Sequence, residues 1–206
     1  MIKSKKLIKY KNISHTFFNK YGGVSKGIYK SLNCGLGSND KKKNIMKNLQ
    51  IVGKKIGFKK NLVILNQIHS NNIFFINKLP KKKLIGDGVY TNKNKIALGI
   101  LTADCAPVFF FDKEKNIIGA AHIGWRGALK KISIKILSKL FKNGSQKKNI
   151  IAVVGPCISQ KNYEVKNDFK SKFLKQSRKN KFFFKIIKNK TYFSLNKYVK
   201  YQLISL

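Results

Sequence analysis

The chain has 206 residues, 45 Lys and Arg against seven Asp and Glu, three His and three Cys, for a formal net charge of +38. Its 43% hydrophobic and 12% aromatic content excludes a disordered polyelectrolyte despite that charge. At this length folding buries roughly 70% of the unfolded surface, so one self-sufficient core spanning residues 1–206 is expected.

Taken in chain order, residues 5–18 alternate weakly and run into a turn-prone stretch, 19–27, that contains Gly22-Gly23. A second Gly-rich loop follows at 31–39. Ile45, Leu49, Val52 and Ile56 keep the spacing of an amphipathic helix closed by Gly57. Residues 62–69 and 73–76 predict strands. Two strongly apolar runs, 95–111 and 116–122, flank the charged segment 112–115. Leu129, Ile132, Ile136 and Leu140 predict a helix ending near Asn143-Gly144. Residues 150–154 predict a short buried strand before Gly155-Pro156. Val165, Phe169 and Phe173 mark a third helix, and 195–203 a C-terminal one. Strands interleaved with helices give a mixed α/β or α+β class.

No apolar run reaches the ~18 residues of a membrane span. The basic N-terminal stretch lacks an apolar signal region, and the cysteines at 34, 105 and 157 are too scattered for a disulfide scaffold. A protein of a reducing cytosol is the expectation. A charge of +38 suggests nucleic acid, because Lys and Arg on phosphates release counterions. Yet only Arg126 and Arg178 among the cations are arginines, and specific readers of base edges favour Arg. The lysines are spread along the whole chain beside Asn, Ile and Phe, as A/T-rich codons would produce. Nonspecific adhesion to nucleic acid at low salt is expected either way. Against such a background, retained acids and arginines carry information.

His69, Cys105 and His122 lie at the ends of apolar, strand-like runs. With a two-residue turn, Lys113-Glu114, Asp112 would pair with Lys115, and Cys105 would sit directly opposite His122. Their Cβ atoms would then be roughly 4.5–5.5 Å apart. A shift of two residues keeps both on one face; a shift of one separates them. A thiolate facing an imidazole fits either a Cys nucleophile activated by His or a pair of metal ligands. The second His at 69 favours metal, and His-Cys-His suits Zn²⁺ or copper with a fourth position open. Asp104, next to Cys105, should point to the other face, in a structural hydrogen-bonding role. Gly124-Trp125-Arg126-Gly127 opens a helix, where free N–H groups and an Arg fork attract anions. The alternative for Arg126 is an ion pair with Asp87 or Asp104.

The segments NQIHS, GDGVYT, LTADCAPV, AAHIGWRG and GPCISQKNYEV, in this order, resemble the signatures of the laccase-domain family, the YfiH-like polyphenol oxidases or multicopper polyphenol oxidoreductases. The resemblance implies a layered α/β sandwich with helices flanking mixed sheets. It also implies a metal site, usually zinc, at His69, Cys105 and His122. Members of the family phosphorolyse adenosine, inosine and methylthioadenosine and deaminate adenosine; peptidoglycan editing is also attributed to them. The implied phosphate or substrate ligands are Arg126, Lys20 and Asn33. Lys20 replaces the family's usual Arg with a point charge, which weakens phosphate positioning there. A true laccase needs several coppers and about ten ligands, mostly His, which three His cannot supply. The rival expectations are a metal-free Cys105/His122 hydrolase and a basic RNA-associated protein.

Overall fold

The computed structural model describes residues 1–58 and 61–205. In chain order its helices and strands are α1 (Lys42–Lys55), β1 (Leu62–Ile64), β2 (Ile73–Phe75), β3 (Gly88–Thr91), β4 (Ala97–Gly99), β5 (Ala106–Asp112), β6 (Ile117–Ile123), α2 (Trp125–Leu129), α3 (Ile132–Lys142), β7 (Ile150–Val154), β8 (Glu164–Val165), α4 (Asn167–Gln176), β9 (Phe184–Ile187), β10 (Lys190–Phe193) and α5 (Leu195–Ile204). The mixed α/β class is as expected.

A five-stranded sheet of order β2-β3-β6-β5-β7 forms the centre. β2 and β3 run parallel, and the other neighbours are antiparallel. Strand alternation divides its side chains between two cores. On one face Ala106, Val108, Phe110, Ala121 and Ile123 meet Ile132, Ile136 and Leu140 of α3 and Leu195, Tyr198 and Val199 of α5. On the other, Val89 and Ala120 meet Val63 and Leu65, in and just after β1 of the small parallel β1–β4 sheet. A third sheet, β8-β10-β9, packs its Phe184 and Phe193 with Phe169 and Phe173 of α4.

The structure corrects four local expectations. The run 95–111 is not one strand. It holds β4 in one sheet and β5 in another, with exposed Thr102, Ala103 and Asp104 between. The β5–β6 turn has four residues, because Asp112 pairs with Ile117. The Asp112 carboxylate accepts from the Glu114 and Lys115 amides, and Asn116 takes φ +52°. The helix predicted through Leu129–Leu140 is two helices, with Lys131 at φ +56° between them. Residues 5–18 are mostly turns, joined only by an Ile2–Phe17 bridge.

Candidate metal centre

β6 carries His122 on the face of Ala120, at its C-terminal end, and the ring is 4% exposed. Pro107 is its cross-strand partner, so Cys105 lies diagonally adjacent to His122. The register is displaced by two residues from the expected one, which preserves the shared face. His69 arrives from the loop between β1 and β2, with φ +57°. The ligand atoms of His69, Cys105 and His122 all lie within 4.8 Å of one another. His69 Nε2 is 3.8 Å from Cys105 Sγ, and the two imidazole centroids are 4.8 Å apart.

The organiser of this cluster is Asp87, wholly buried just before β3. Its carboxylate accepts from the Ile68, His69 and Ser70 amides at 3.3, 3.0 and 2.6 Å and from Ser70 Oγ at 2.7 Å. It also bonds His122 Nδ1 at 2.7 Å, and its carbonyl accepts the His122 amide at 2.7 Å. One side chain therefore fixes the left-handed backbone of His69 and the ring of His122. Engaging Nδ1 leaves Nε2 as the ligand atom, the second-sphere pattern of metal-bound histidines. Burial opposes the Asp87 charge, but bonds from His122 and Ser70 hold the carboxyl at about 2. Burial likewise opposes the His122 charge, and the Asp87 bond and adjacent Cys105 raise it to about 9. Burial, His122 and Arg126 lower His69. Asp87 was visible in sequence only as one of seven acids between two glycines; its role needs the β3–β6 pairing.

The donor set fits a borderline ion such as Zn²⁺. A tetrahedral ion with bonds of ~2.1 Å to N and ~2.3 Å to S has an N···S edge of about 3.6 Å, close to the observed 3.8 Å. Gly124 supplies the necessary space. A Cβ there would lie 2.8 Å from both Cys105 Sγ and His69 Cδ2. Its φ of −81° is open to any residue, so the glycine serves room and not backbone freedom. Gly124→Ala should weaken zinc binding by about tenfold or more, the scale seen when support around a metal is lost, while melting changes little in chelator. Competition with a chromophoric chelator measures this, and unchanged affinity would refute the spatial role.

The third histidine, His15, accepts the Ser4 amide near the N-terminus and is outside the cluster. Asp104 is exposed in the bend before β5. Its carbonyl accepts the Ile158 amide, while its carboxylate forms no hydrogen bond among the described residues, contrary to the expected side-chain role. Arg126 is exposed on α2 and, among the described residues, pairs with no carboxylate; the alternative ion pair is not formed. Its guanidinium carbon lies 4.8 Å from the Trp125 ring centroid. Lys20 and Asn33 belong to a loop system pinned by buried Asn48, which bonds the Val24 amide, Ser25 and the Ser31 and Asn33 carbonyls. The Asn33 amide engages Ser38 and Asp40, and the Lys20 ammonium lies over Tyr21. Sequence reasoning missed Tyr163. Its phenol is pushed up to about 12, chiefly by burial, with Cys105 and Asp104 adding to the rise. Trp125, Tyr163, Val165 and Phe169 line a hollow of about 270 Å³.

A family profile described as multi-copper polyphenol oxidoreductase laccase matches residues 14–206. Purine nucleoside phosphorylase YlmD of Bacillus subtilis is 33% identical over 166 residues, covering 75% of this chain and 60% of that protein. Purine nucleoside phosphorylase RC0672 of Rickettsia conorii is 37% identical over 141 residues, 66% of this chain and 58% of that protein. The chain thus spans about 60% of the length of these curated relatives. The crystal structure of Bacillus licheniformis hypothetical protein YfiH superposes with a TM-score of 0.84 at 26% identity, over 90% of this chain and 74% of that one.

Proposed function

The chain belongs to the multi-copper polyphenol oxidoreductase laccase family, and we propose that within it the protein is a zinc-dependent purine nucleoside phosphorylase. The substrates in this reading are adenosine, inosine and methylthioadenosine, with adenosine deamination as a second activity. The observation that carries it is the convergence of His69, Cys105 and His122 within 4.8 Å, with Arg126, which has no carboxylate partner among the described residues, four residues after His122. The relatives' names support the reaction class. With two His and one Cys in the cluster, the site offers too few ligands for several coppers.

In this reading His69, Cys105 and His122 hold zinc, which when bound supplies a Lewis acid and lowers the pKa of water toward ~7. Asp87 fixes the ring of His122 and the backbone of His69. The hollow beside Tyr163 offers aromatic surface to a purine. Arg126 holds phosphate in its planar fork below the ribose C1′. Lys20 and Asn33, on the N-terminal loops, belong to the reading as further phosphate or substrate contacts.

Adenosine should give inosine alone without phosphate, and with phosphate adenine together with inosine and the hypoxanthine released from it. Absence of both products would reject the proposal. Arg126→Lys should raise the KM for phosphate roughly tenfold to a hundredfold, the loss of a charged bidentate contact, and leave deamination nearly intact. Equal losses in both reactions would make Arg126 structural.

A further inference from the structure

Resting on the reading of Arg126 as the phosphate ligand, we propose that Trp125 is a positioning residue whose indole face holds the Arg126 guanidinium at the metal cluster. Arg126 is exposed and has no carboxylate partner among the described residues, so nothing ionic restrains its long side chain. The contact that does restrain it is the Trp125 ring, 4.8 Å from Cζ. A planar guanidinium stacks on an aromatic face while its N–H edge stays free to donate, which an ammonium cannot reproduce. This accounts for an arginine surviving where the chain otherwise uses Lys.

The ring is itself fixed. Trp125 is half-buried and meets Phe169 of α4 at 5.2 Å, and Phe169 stacks on fully buried Phe173 at 5.0 Å. α2 is tied down from α5, where the Gln202 amide donates to the Ala128 carbonyl at 2.9 Å and accepts from Ser133 at 2.6 Å. A Cβ at Gly124, the residue before Trp125, would lie 2.8 Å from Cys105 Sγ and His69 Cδ2, so α2, which carries Arg126, starts against the cluster. Lys172 also approaches the Trp125 ring, at 5.4 Å, but its charge is paired with Asp168 at 3.2 Å. Arg126 is left as the unneutralised cation of the pair, and an anion goes to it.

Trp125 is the only tryptophan of the chain, so its emission reports on this contact directly. Zinc-loaded protein would be titrated with inorganic phosphate at constant ionic strength, with chloride as control, by fluorescence and by calorimetry. A saturable change in emission is expected, with the same Kd by both methods, and it should vanish in Arg126→Ala. Trp125→Leu should weaken phosphate binding roughly fivefold, the scale of a cation–π contact, and Trp125→Phe should restore most of it. Trp125→Leu combined with Arg126→Ala should be no weaker than Arg126→Ala alone. Phosphate bound by calorimetry with flat emission, or by Trp125→Leu with wild-type affinity, would overturn the positioning role and leave the phosphate reading standing. Wild-type affinity in Arg126→Ala would overturn both. Should Trp125→Leu fail to fold, the wild-type and Arg126→Ala emission titrations decide alone.

Discussion

Cys105→Ala is expected to release the metal and abolish nucleoside turnover with little cost to the fold. Cys105 is one of the three proposed ligands, only half-buried, and sits in the bend before β5, not in the core. Removing its sulfur leaves two imidazoles, too few to retain zinc against a moderate chelator. Losing one small, partly exposed side chain should cost under ~1 kcal/mol. Zinc per chain should fall from near one equivalent toward zero, and in excess chelator the variant and wild type should melt within a few degrees. Retained zinc with lost turnover would instead point to Cys105 as a nucleophile activated by His122.

The second large effect is expected at Asp87. Its carboxylate accepts from His122, from Ser70 and from three consecutive amides, all in a buried setting. Asp87→Ala leaves these donors unpaired and removes one partner of a buried ion pair. The expected loss is about 3–5 kcal/mol of unfolding free energy, measured by chemical denaturation at neutral pH. Zinc affinity should fall ten- to a hundredfold in protein that remains folded, because His122 loses its orienting bond. Asp87→Asn keeps the shape and one acceptor oxygen, so it should lie between. Lost stability with undiminished zinc affinity would confine Asp87 to a structural role.

How far the sequence reveals this site depends on the kind of information each part needs. Apolar periodicity located α1 and α5, and continuous apolar runs located β6 and β7, because those elements bury one face or both. The three candidate ligand residues stood out by their rarity and their places at strand ends. The β5–β6 register did not, because the Asp112 carboxylate closes a four-residue turn that no Asn-Gly pair announces. The β9–β10 hairpin was invisible for a similar reason. Lys188 and Asn189 take φ +46° and +60°, and Lys is a poor signal for such a turn. Asp87 was hidden more deeply. It lies 18 residues from His69 and 35 from His122 along the chain; the Asn66–Ile85 bridge brings it to the first and the pairing of β3 with β6 to the second.

The most direct test follows phosphorolysis against metal content. Protein stripped with chelator would be reloaded in steps with zinc, and purine base released from inosine in phosphate would be measured at each step. The account predicts no activity in stripped protein, a linear rise with bound zinc, and a plateau near one zinc per chain. Full activity in stripped protein, or zinc binding that brings no base release, would contradict it.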